Sequence, residues 1–175
     1  MGTTIFPRIS AIALLAGALS CPAADAPDCS GFGWDMSREL ALFAQAGHPI
    51  SAASHASAAP RVDLDTLYIV TLAPRADVAF AHPPGKVVGG DAGTAGLLVF
   101  HPARAGSYRI TLDAGMWIDA VNGDRLIDST GFRGRAPCGT IHKSVEWSLP
   151  AEDVVVQISG PATAPIHLTI TSAQP

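Results

Sequence analysis

Six histidines, His48, His55, His82, His101, His142 and His167, give this 175-residue chain its most obvious capacity for chemistry. A zinc or iron site needs three or four ligands converging at about 2 Å. The set that fits best in kind is His82 and His101, which flank a glycine-rich stretch, with either His142 or Glu146 as the third ligand. On a helix, His142 and Glu146 would be neighbours. However, Lys143, Val145, Trp147 and Leu149 alternate with Ser144, Glu146 and Ser148, which predicts a strand. A four-residue step along a strand covers about 13 Å, so the pair shares a metal only across a bulge. No His-x-His or His-Glu-x-x-His is present. Asp119, Asn122, Asp124 and Asp128 cluster without the spacing of an EF-hand calcium loop. No Gly-x-Ser-x-Gly elbow occurs, and the glycines of 89–96 are not followed by the Gly-Lys-Ser/Thr of a phosphate loop.

The three cysteines indicate compartment more than chemistry. Arg8 followed by the apolar run Ile9 to Leu19 and then small residues predicts an export signal over 1–24. The run is too short to span a bilayer, which takes about 20 residues. Ala18-Leu19-Ser20-Cys21 resembles a lipoprotein signal, with Cys21 as the residue that would carry the lipid. Otherwise Cys21 leaves with the signal or stays as an odd thiol; lipidation or removal leaves Cys29 and Cys138 as a pair, and in an oxidising compartment they are expected to form a disulfide. From Asp25 onward the chain holds ten basic and fifteen acidic residues, with no basic run. This composition argues against nucleic acid or an anionic membrane as partner. Arg133 and Arg135 stand out in a Gly/Pro loop, where a guanidinium fork suits carboxylate or phosphate contacts.

The elements that must position these residues are mostly strands. Met36, Leu40 and Phe43 form one apolar stripe, predicting a helix over about 36–46 that Asp35 caps and Gly47 and Pro49 end. Residues 48–61 have no period and read as a loop or linker. From Val62 the period changes to two. Strands are expected near 62–65, 67–72, 78–80, 97–100, 108–112, 116–121, 124–127, 143–149, 154–158 and 166–170. Asn122-Gly123 marks a hairpin, while 82–96 and 129–140 read as loops. The expected fold is all-β: an antiparallel β-sandwich or jelly roll with one short N-terminal helix. It divides into a signal at 1–24, a helix and linker at 25–61, and a sandwich domain at 62–175. Trp147 shares a strand face with Val145 and Leu149 and is assigned to the core, whereas the face of Trp117 also holds Asp119.

Two stretches carry a resemblance. Ala105-Gly106-Ser107-Tyr108-Arg109-Ile110 with Gly115-Met116-Trp117-Ile118-Asp119 is one, and Cys138-Gly139-Thr140-Ile141-His142-Lys143-Ser144-Val145-Glu146-Trp147 is the other. Together they resemble a group of small exported bacterial proteins, over most of residues 60–172. Some members are labelled homogentisate 1,2-dioxygenase, which implies iron held by two histidines and a glutamate. In strand order and in the Ala-Gly-x-Tyr opening, the domain is also similar to pre-peptidase C-terminal domains, the accessory sandwiches of secreted enzymes. That likeness implies a binding or stabilising role. The expected function is a non-catalytic module in the periplasm or outside the cell. It would bind an envelope protein or a small ligand and need no cofactor. The alternative is a metal-dependent enzyme using iron or zinc.

Overall fold

The computed structural model describes residues 1–2, 28–88, 92–134, 138–161 and 165–173. The expected signal, apart from its first two residues, Cys21 included, lies outside them, as does Arg135. Among the described residues there are twelve strands: β1 (His48–Ser51), β2 (Arg61–Val62), β3 (Tyr68–Thr71), β4 (Ala73–Pro74), β5 (Thr94–Phe100), β6 (Gly106–Leu112), β7 (Trp117–Asn122), β8 (Arg125–Ile127), β9 (Ser129–Gly134), β10 (Lys143–Leu149), β11 (Val154–Gly160) and β12 (Ile166–Ser172). One α-helix, α1 (Ser37–Phe43), precedes them. The first sheet runs β1-β3-β12-β6-β10-β9 and the second β2-β5-β11-β7-β8, with β4 also on β5. The chain is an all-β sandwich.

Alternation explains which side chains meet between the sheets. Ile166, Leu168 and Ile170 of β12, Ile110 and Leu112 of β6, and Trp147 and Leu149 of β10 face Leu98 and Phe100 of β5 and Val154, Val156 and Ile158 of β11 in one buried cluster. Trp147 is 2% exposed, as its place in the alternation predicts. The hairpin at Asn122-Gly123 forms as expected. Asn122 pairs with Arg125, and Gly123 takes φ 60°, a left-handed conformation that glycine adopts without strain.

Three expectations are corrected. Residues 48–61 are not a free linker: β1 runs parallel to β3, and β2 runs parallel to β5, so the sandwich is mixed rather than purely antiparallel. These are short edge strands, too brief and too exposed to print a period of two. Residues 129–134 form β9 instead of a loop. A register shift between Glu146 and Trp147 lets β9 follow β10, so Glu146 pairs with Gly131 and Trp147 with Ser129. The expected strand at 78–80 is a single bridge from Ala79 to His55.

The helix is shorter than the apolar stripe predicts, because the backbone amide of Gln45 turns back to Leu42 in a tighter turn. Asp35 does accept from the Ser37 amide at 2.9 Å. The helix and the segment before it cover the outer face of the first sheet. Phe32, Met36, Cys138 and Ile141 form a small second core there, joined by Trp34, Leu40 and Phe43. The Cys29–Cys138 disulfide closes it, with Cα atoms 4.4 Å apart. Beneath the helix the outward residues of β12 are small and polar: Thr169 and Thr171 are fully buried.

Candidate functional site

Where β8 passes into β9, the chain crosses from the second sheet to the first at Asp128. The sheets do not seal at this side. A cavity of about 690 Å³ opens between β7 and β8 on one wall and β9 and β10 on the other. This lies within the range of small-molecule sites, roughly 300–1,000 Å³.

Lys143 is the first residue of β10, paired with Leu112 of β6 and Gly134 of β9. The alternation that buries Val145 and Trp147 turns Lys143 to the same face, and its side chain enters the cavity with only 9% exposure. Nζ donates to the carbonyl oxygen of Met116 at 2.7 Å. It stands 5.6 Å from the ring centre of Trp117 and 5.5 Å from that of Phe132. Among the described residues no carboxylate forms an ion pair with it. Burial therefore pushes its pKa down to about 8. The charge of Lys86 pushes the same way, and Asp119 opposes both.

The surrounding groups are held in place. Asp119 of β7 accepts from the Trp117 indole at 2.8 Å and from the Gly85 amide at 3.2 Å. These bonds fix the indole and tie loop 85–88 to the wall. Lys86 on that loop is exposed, its Nζ 5.7 Å from the same indole centre. Phe132, 46% exposed, and Asp128 stand at the rim, and His142 lines the entrance beside Gly115. The chain contains only two lysines, Lys86 and Lys143, and both flank Trp117 in this cavity.

The residues singled out in the sequence are scattered relative to this site. His82 lies on a loop fixed to β11 through two bonds to Gln157, at 2.9 and 3.0 Å. His101 faces a second cavity, of about 490 Å³, at Arg61 and Tyr108, and its Nδ1 is 2.7 Å from Asp153. Arg61 grips the same carboxylate at 2.9 and 2.6 Å, and together Arg61 first and His101 second hold Asp153 down to about 2. Glu146 accepts from Arg109 Nε at 3.0 Å on the outer face of the first sheet. Of the four proposed metal ligands only His142 reaches the larger cavity. Among the described residues no three histidine, cysteine, aspartate or glutamate side chains gather where an ion could sit. The donor set that iron would need does not fit. Asn122 donates to Glu152 at 3.0 Å and to the Asp153 carbonyl at 3.2 Å rather than turning toward Asp119.

Arg133, expected on a free loop, lies in β9 with its guanidinium 4.5 Å from the centre of Trp34, and Arg109 stands 4.5 Å from the same ring. Gly131 leaves the space that the indole needs, since a Cβ there would come within 2.9 Å of Trp34. Trp34 thus serves the packing of the N-terminal segment. Sequence reasoning passed over Lys143 and Lys86. The signal was present in the scarcity of lysine and in the position of Lys143, in phase with three core residues. Compared with known proteins, the chain matches no family model, no curated protein and no solved structure at a significant level.

Proposed function

We propose that this protein is a non-catalytic, extracytoplasmic binding module and that the cavity between β7 and β10 is its site. Its ligand is a small molecule with a flat apolar body and an anionic group. The single observation that carries this reading is that both lysines of the chain flank one indole in one cavity. Trp117 and Phe132 offer ring faces for stacking, and Lys86 at the mouth offers charge to an anion. The disulfide supports a place outside the reducing cytoplasm, and no described helix is long and apolar enough to cross a membrane. The likeness to accessory sandwiches of secreted enzymes points the same way. The second cavity is the weaker candidate, because Asp153 takes up Arg61 and His101 there and no tryptophan lines it beside the remaining Arg104.

The test is calorimetric titration with benzoate-type aromatic acids and their uncharged amides. Acids are expected to bind and amides to bind at least tenfold more weakly. Trp117→Ala should abolish the difference, and His101→Ala should leave it unchanged. Equal binding by the His101 variant and loss of nothing in the Trp117 variant would place the site elsewhere.

A further inference from the structure

We infer that Lys143 is a nucleophilic amine that captures carbonyl-bearing ligands as a reversible imine inside this cavity, the ligand class being aromatic aldehydes or ketones that also carry a carboxylate. The inference rests on the cavity being the binding site.

The geometry divides the labour between the two lysines. Lys86 is exposed at the mouth, where it can hold the carboxylate. Lys143 lies inside, 9% exposed, between two aromatic rings, with one hydrogen bond to the Met116 carbonyl and no carboxylate partner among the described residues. Both amines stand close to one indole, Lys86 at 5.7 Å and Lys143 at 5.6 Å from its centre, so a ligand ring held against Trp117 lies near both. A desolvated lysine beside a second cation is the setting in which an amine becomes a nucleophile near neutral pH. A lysine whose pKa burial has brought to about 8 holds a usable neutral fraction there. The charged groups facing it from the surrounding elements are Lys86 on loop 85–88, Asp119 on β7, Asp128 between β8 and β9, and His142 just before β10.

The chemistry balances without an oxidant or reductant. The neutral amine adds to the carbonyl carbon, forming the C–N bond while the C=O π pair moves to oxygen. A proton passes from nitrogen to that oxygen, giving a carbinolamine. The nitrogen lone pair then expels the hydroxyl, which leaves as water with a proton taken from solvent at the open mouth. The product is a protonated imine. Hydrolysis reverses every step.

The full disulfide-closed chain is incubated with 4-formylbenzoate and sodium cyanoborohydride, and the reduced adduct is mapped by peptide mass spectrometry. With two lysines and one terminal amine, each site is separately readable. One adduct, at Lys143, forming faster as pH rises toward about 8 and blocked by excess benzoate, is the expected result. Lys143→Met should lose it, and its melting curve reports that it folds; the wild-type map, and benzoate binding measured on the wild type, do not depend on that variant. If benzoate binds but modification is absent or no faster at Lys143 than at Lys86, the imine inference is overturned and the binding site stands. If benzoate neither binds nor protects, both fall.

Discussion

The cap on the outer face of the first sheet and the cavity at its edge both bury charge against tryptophan, but they treat that charge in opposite ways. In the cap, Glu39 is 2% exposed, yet it accepts from the Thr171 hydroxyl at 2.6 Å and lies 3.9 Å from Arg109. Arg109 in turn reaches Glu146 and the Asp35 carbonyl, and stacks on Trp34, which Arg133 also approaches. Each buried charge there has an opposite charge and donors or acceptors to match. In the cavity, Lys143 has one carbonyl and two rings, and among the described residues no opposite charge pairs with it. Satisfied charge fixes a segment to a sheet, whereas unsatisfied charge lowers the barrier to losing a proton and leaves room for a ligand. Structure is the product of the first arrangement and reactivity of the second.

Unfolding measurements test this contrast. The largest effect belongs to the staple of the cap. Replacing Cys29 and Cys138 together by alanine opens a link across 109 residues and should cost about 4 kcal/mol in urea unfolding. A loss near zero would show that the cap holds without it. Next is Glu39→Ala, which leaves the buried Thr171 hydroxyl without its acceptor and takes one of two carboxylates from beside Arg109. It should cost about 3 kcal/mol, because a buried pair loses one partner. If the cost is below that of an exposed pair such as Arg38–Asp65, the cap network is not what secures the helix.

The smallest effect should have the opposite sign. Lys143→Met replaces a strained cation by an apolar chain of similar length and should add about 1–2 kcal/mol at neutral pH. The pH dependence follows from proton uptake. The unfolded chain keeps a proton on Lys143 up to its ordinary value of 10.5, and the folded chain only to about 8. Between those values unfolding takes up a proton, so wild-type stability rises with pH through this window and levels off above it. The advantage of the methionine variant should therefore shrink from pH 8 to pH 10.5. A constant advantage would mean that Lys143 is as easily protonated inside as outside.

The sequence makes the two sheets legible because β6, β10, β11 and β12 are long and sandwiched, so burial on one face prints a period of two. It hides β1 and β2, whose two to four residues lie along edges and bury little. It also hides β9. Glycines 131 and 134 and the exposed Phe132 read as loop, yet Gly131 is there to admit Trp34 and Phe132 to line the cavity. Histidine drew attention by type, but Asp153 takes up the His101 ring, and Gln157 fixes the backbone of His82 away from the other histidines. Lys143 was placed on the core face by its alternation. What sequence could not supply was the set of groups around its ammonium, which depends on where β7, β9 and loop 85–88 arrive in space.

One feature of the first sheet bears on how the chain comes to be folded. β12 stands third in the order β1-β3-β12-β6-β10-β9, hydrogen-bonded to β3 on one side and β6 on the other. During synthesis its residues, 166–172, emerge after all the strands it joins. Until they do, β1-β3 and β6-β10-β9 are two fragments with nothing between them. Neither can complete the inner face that Leu168 and Ile170 fill. Pairing over such separations is slow and comes late, because loop closure is costly before any contact repays it. The first sheet therefore stays in two parts until the residues through Ser172 have been added, and the last strand made is the one that joins them.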